Sequence, residues 1–186
     1  KIPSVGESNP KDPVIPKYSE TRIEGMTGLP RNTDDLNAIA VEWLGALSDA
    51  LSNGEQTQLE FLFQQDSHWR DVLAFTWHLT TVNGASKVAA ALCGAQSEIK
   101  ATRFEIDPDR MPPRLVHRAG DETLEAIFRF KTALGRGSGI FRLVPGPQGP
   151  TGWMFHTALQ ELKDFEEKTG WNRPKGESYA RDFGGP

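Results

Sequence analysis

The chain is short of several things, and each shortage narrows its class. It has one cysteine, Cys93, in 186 residues, so an internal disulfide is excluded and a reducing compartment is expected. Lysine and arginine number 21 against 25 acidic residues, a formal net charge of −4. They form no basic run, which argues against a nucleic-acid partner, since phosphate binding wants a basic face. No apolar stretch approaches the roughly 18–20 residues of a membrane span. No membrane is therefore expected as a partner, and an intracellular, cytoplasmic location is. The four histidines sit on separate segments without H-E-x-x-H or C-x-x-C spacing, so no metal is expected. G-x-S-x-G is missing too, and Cys93 closes an apolar helix, which gives nucleophilic catalysis little support. The glycine run 135–139 (GRGSG) has the wrong spacing for a dinucleotide fingerprint and lies between two strand patterns, so no cofactor is assigned to this chain.

What remains is one domain's worth of core, with polar ends. Residues 1–31 carry prolines at 3, 10, 13, 16 and 30 and read as an extended arm; Val14, Ile15 and Ile23 would let it lie across the domain or a partner. The chain begins at Lys1, not Met, so a preceding segment is compatible with the sequence. Asn32 is a candidate N-cap, with Asp34 and Asp35 in the first turn where the helix dipole favours acids. Leu36, Ile39, Ala40, Trp43, Leu44, Leu47 and Leu51 then repeat at helical spacing until Asn53-Gly54 stops them. A second short helix is expected over 55–63.

Residues 66–72 read as a short extended piece. Residues 75–82 alternate as a strand, Asn83-Gly84 turns, and 86–93 (SKVAAALC) reads as a compact helix. Everything after Glu98 is β in pattern: 102–106, a proline-rich loop over 107–114, a short edge piece at 115–118, and 124–131. A hairpin turn at 135–139 then leads into 140–144, a second turn occupies 145–150, and the last strand spans 153–162. In that strand Trp153, Phe155, Thr157 and Leu159 face one way and Met154, His156, Ala158 and Gln160 the other. Residues 163–186 read as a charged, glycine-rich tail or linker, with 161–168 able to form a helical turn. Helices first and antiparallel strands after make an α+β fold, with helices packed on one face of a curved, mostly antiparallel sheet. Such a sheet encloses a cone-shaped hollow, a natural small-molecule site.

The run 62–71 (LFQQDSHWRD) resembles the opening of the first strand in the NTF2-like superfamily, which includes SnoaL-like polyketide cyclases and ketosteroid isomerases. DSHWRDVLAFTWHLTTVNG, GIFRLVP and ALQELKDFEEKTGWNRPKG are similar to the amino-terminal region of fungal flavin-containing monooxygenases, over about residues 36–176. The resemblance implies an NTF2-like cone over 32–162, a homodimer, and an accessory domain serving dimerisation, docking or the shaping of a small-molecule pocket. FAD and NADPH would enter only with a flavoprotein domain beyond Pro186. The alternative is a stand-alone SnoaL-like enzyme performing cofactor-free cyclase, isomerase or hydratase chemistry on a small apolar metabolite. A third reading is a protein-binding adaptor using the aromatic sheet face.

For the enzymatic alternative the resemblance puts Asp71 where ketosteroid isomerase keeps its general base. A carboxylate at the mouth of an apolar hollow is desolvated and can move protons off carbon. Arg70 beside it could instead hold it as a structural ion pair. The isomerase's oxyanion partners have no counterpart, because the only tyrosines, Tyr18 and Tyr179, lie near the ends. His78 and His156 are candidate assistants, with His68 and Arg129 as possible pocket residues. Trp69, Trp77 and Trp153 would line the pocket by stacking, or fill the core or a dimer interface. Alternation alone leaves open which face of the sheet is interior. A hollow filled by Phe and Trp would sink the enzymatic alternative.

Overall fold

The computed structural model describes residues 28–165, 168 and 173. Most of the expected arm and tail lies outside the described residues. Of the arm's end, Leu29 is buried and Arg31 lies 3.6 Å from Glu122.

Helix α1, Thr33–Asn53, starts as its sequence dictates. The Asn32 side chain accepts the Asp34 amide at 3.1 Å, satisfying one of the helix's orphan donors. Gly54 ends it at φ 70°, a conformation that costs glycine no Cβ clash. Leu36, Ala40, Trp43, Leu44, Leu47 and Leu51 are all buried. Helix α2, Gln56–Phe61, is shorter than expected. Helix α3, Ala85–Ile99, runs one and a half turns past the expected end, because Gly94 and Ala95 do not interrupt it.

Seven strands form one sheet: β1 Phe63–Val72, β2 Leu79–Asn83, β3 Thr102–Ile106, β4 Arg114–Arg118, β5 Asp121–Lys131, β6 Gly135–Val144 and β7 Thr151–Leu162. Their order is β2-β1-β7-β6-β5-β3, with β4 also on β5. β1 and β7 pair in parallel and all other pairs are antiparallel. The three helices and this mixed, mostly antiparallel sheet give the expected α+β class.

Three local expectations are corrected. Residues 75–78, expected as the start of a strand, belong to a bent loop over 73–78; Leu73 and Trp77 both take left-handed φ, 63° and 57°, outside the region of regular strand. The glycines at 135–139 belong to β6, not to a turn, and the chain reverses at 132–134 instead. At Gly137 a Cβ would run into the ring of Phe130, and at Gly139 into the ring of Phe128 and the His156 carbonyl. These glycines make room for aromatics, and turn chemistry was the wrong reading of them. Finally, β7 ends at Leu162 as expected, so Glu161 and Leu162 are strand where a helical turn over 161–168 was a possibility; part of that stretch lies outside the described residues.

The register also settles which face is interior. One row runs Val82, Trp69, Phe155, Phe141, Ala126, and the next Thr80, Asp71, Thr157, Gly139, Phe128. Trp69, Phe128, Phe141 and Phe155 in these rows are fully buried. Trp43 drops from α1 onto them, 4.7 Å from Phe141 and 5.7 Å from Phe63 between ring centroids. Its indole N–H donates to the Leu62 carbonyl at 3.2 Å. Phe128 stacks on Phe155 at 5.3 Å, and Phe75 reaches Phe130 at 5.6 Å. Burying each such ring removes 150–250 Å² from water, so this layer dominates the core.

Candidate functional site

Asp71 lies on the inner face of β1, one strand in from the sheet edge, and is fully buried. Its Oδ2 accepts the Phe75 amide at 3.0 Å, the Thr76 amide at 2.8 Å and the Thr76 hydroxyl at 2.8 Å. Its Oδ1 accepts the Thr157 hydroxyl at 2.6 Å. That hydroxyl in turn accepts the indole N–H of Trp69 at 2.9 Å. The local sequence explains half of this. Residues 72–76 fold back so that the amides four and five positions on reach the carboxylate, as a short acidic side chain does when it organises a loop. Thr76 locks the loop further through Thr80 Oγ1 at 3.1 Å, and the Leu73 amide closes it on the His78 carbonyl at 3.2 Å.

The donors to Asp71 are neutral. Arg70 points to the opposite face and is exposed, so the ion pair considered from sequence does not form. The histidines do not gather round Asp71 either. His78 is exposed at the end of the loop. His156 lies on the outer face, in the row Thr81, Arg70, His156, Ile140, Ile127. His68 is on that face one row away, its ring edge-on to Trp153 at 5.5 Å between centroids.

Of the three tryptophans, only Trp69 is on the inner face, in the packed core. Trp77 is 43% exposed at the loop tip. Trp153 leaves the row of Phe155 and Thr157, because the β6–β7 register slips between Arg142 and Leu143. Gly152 takes the inner place, where a Cβ would come within 2.8 Å of Trp43. Such a slip re-aims a side chain, here towards His68. Arg129 is also on the outer face, bonded to Glu105 at 2.7 Å, which holds its pKa above the ordinary arginine value.

Thr76 and Thr157, the two side chains that complete the Asp71 network, were not singled out from sequence. Thr76 could have been found as the polar residue closing an acid-led loop, whereas Thr157 is 86 positions away and no local signal marks it. Ser67 is fully buried, and its hydroxyl has no partner among the described residues. Cys93 is half-buried on α3, and burial raises its thiol pKa, which keeps the nucleophilic thiolate scarce. The grooves at the outer face and the edges do not reach Asp71. Among the described residues no helix is long and apolar enough to cross a membrane.

Neither a family model nor a curated protein matches the chain. Solved structures do. An NTF2-like superfamily protein from Salmonella enterica serovar Typhimurium, 15% identical, aligns with a TM-score of 0.50 over 77% of this chain and 100% of its own. A candidate aromatic ring hydroxylase from Novosphingobium aromaticivorans, 12% identical, also scores 0.50, over 70% of this chain and 93% of its own. The chain therefore has the NTF2-like fold. At such identities the likeness speaks to the fold alone.

Proposed function

We propose that this chain is a non-catalytic NTF2-like accessory domain of a flavin monooxygenase-like protein, serving dimerisation or docking. The flavoprotein context rests on the sequence resemblance of segments 66–84, 139–145 and 158–176 to fungal flavin-containing monooxygenases. The non-catalytic role rests on one observation. Asp71 is fully buried and spends both carboxylate oxygens on four hydrogen bonds to the loop and to Thr157. A general base must reach the proton it removes, and Asp71 lies on a face where Phe128, Phe141, Phe155, Trp43 and Trp69 are all fully buried. The outer sheet face offers the contact surface. Its half-buried Val72, Ile127, Ile140, Met154 and Ala158 are apolar positions interspersed with Arg70, Arg129, Arg142 and His156 in the same cross-strand rows.

The test is the intact mass and flavin content of the natural polypeptide from its source cells. A yellow species several times 20.6 kDa is expected. A natural product near 20.6 kDa without flavin overturns the reading, and turnover of a small apolar metabolite that Asp71→Asn abolishes would replace it with the enzymatic one.

A further inference from the structure

On the outer face an open groove of about 860 Å³ lies over one end of β3, β5 and β6. Five cationic side chains, Arg103, Arg110, Arg129, Lys131 and Arg136, line it against three acids, Glu105, Asp107 and Asp109, and a fourth acid, Glu161, pairs with Arg136 from outside the lining. This local excess runs against a chain whose formal net charge is −4. The acids are already engaged at one end: Glu105 and Asp109 hold Arg129 at 2.7 and 3.5 Å, and Asp107 lies 4.0 Å from Arg110.

The other end is different. Lys131 and Arg136 are direct cross-strand partners on one face, an arrangement of like charges that is unfavourable by itself. Arg136 is bonded to Glu161, whereas Lys131 has no ion-pair partner among the described residues. Arg103, likewise unpartnered among them, completes the set. It takes φ 54° at the slip in the β3–β5 register between Thr102 and Glu105. A left-handed arginine inside a bulge is a local misfit that aims a side chain, and such misfits concentrate at binding sites. Ser138 and Gln160 line the same end and add neutral hydrogen-bonding groups.

We infer that this end of the groove binds a small anionic ligand, its phosphate or carboxylate held between Arg103, Lys131 and Arg136, with Ser138 and Gln160 beside it. An oxyanion there would pair the two cations without a described ion-pair partner, Lys131 and Arg103, and take arginine in the forked geometry it favours. The site is on the opposite side of the sheet from the aromatic core and does not depend on the function proposed for the domain.

The test is thermal unfolding of the full chain with pyrophosphate, with succinate, or with sodium chloride at matched ionic strength. The variants are Lys131→Met, Arg103→Met and, as a control away from the groove, Arg70→Met. At about ten times the dissociation constant, the wild type should melt roughly 3–6 °C higher than in chloride. That rise should vanish in Lys131→Met and Arg103→Met and persist in Arg70→Met. Lys131→Met without ligand should be at least as stable as the wild type, because a facing like charge is gone. A response to pyrophosphate alone assigns a phosphate ligand, and to succinate a carboxylate. No rise with either anion, or an equal rise in Lys131→Met and the wild type, overturns the inference.

Discussion

The Thr157 hydroxyl donates to Asp71 Oδ1 at 2.6 Å and accepts from the Trp69 indole at 2.9 Å. One hydroxyl thus joins the parallel strands β1 and β7 and satisfies two buried groups at once. Thr157→Val would leave both unsatisfied, at a cost of about 2–4 kcal/mol. Thr157→Ser, which keeps the hydroxyl, should cost far less. Urea unfolding of the two variants decides this, and equal losses would mean that the methyl group matters and the hydroxyl does not.

Asp71→Asn keeps the shape but turns an acceptor of loop amides into a group with two donors. If Asp71 organises residues 73–78, the variant should lose roughly 1–3 kcal/mol of stability, and amide exchange at Phe75 and Thr76 should speed up before it does in the core strands. Unchanged protection of those two amides would remove the structural role assigned to this carboxylate.

The glycines of β6 separate ring collisions from backbone ones. Gly137→Ala would strike the Phe130 ring, with the Ala158 carbonyl 2.9 Å away, while Gly139→Ala would strike both the Phe128 ring and the His156 carbonyl. Both should destabilise by about 1–3 kcal/mol or more. Adding Phe130→Leu to Gly137→Ala should recover part of the loss, whereas Phe128→Leu should do little for Gly139→Ala, since the carbonyl stays put. Double-mutant cycles read the difference.

Glu125 gives the acid limb of stability. It is buried, and burial pushes its pKa up, but hydrogen bonds from Arg142 and Arg114 and their charges together hold it below its ordinary value of 4.5. A carboxyl whose folded pKa is depressed contributes stability above the unfolded pKa and loses it as pH falls through the folded one. Stability attributable to Glu125 should therefore be full at neutral pH and fade below pH 4.5. Glu125→Gln should lower stability at neutral pH and flatten the decline on acidification, measured by urea midpoints across pH.

Leu73 is 42% exposed at φ 63°, a conformation that costs a residue with a Cβ about 1–2 kcal/mol. Leu73→Gly should raise the unfolding midpoint, or leave it unchanged where the lost apolar contact cancels the gain. A clear fall would show that the leucine packs more than its exposure suggests.

Much of the fold was legible in the sequence because local rules governed it. The Asn32 cap, the Gly54 stop and the apolar stripe of α1 act within a few residues. Strand alternation marked Phe128 and Phe130 on one face of β5 and Arg129 on the other. Residues 75–78 were misread as strand because Asp71 overrides the alternation by binding amides four and five positions on. The β6 glycines were misread because their reason, the rings of Phe128 and Phe130, stands on another strand.

The candidate site was less legible. Sequence named Asp71, His78 and His156 one by one, yet only tertiary structure put Asp71 against Thr157, left His78 exposed and sent His156 to the outer face. Alternation divides a strand's residues into two sets but is symmetric between the faces. That symmetry is broken only when helices cover one of them, and here α1 and its Trp43 chose the aromatic side. The sequence by itself determined the α+β class and the residues available to a core. Which carboxylate is spent on structure was decided by strand register, because Thr157 reaches Asp71 from 86 positions away, and Lys131 came to face Arg136 because the hairpin reverses at 132–134 and not in the glycine run at 135–139.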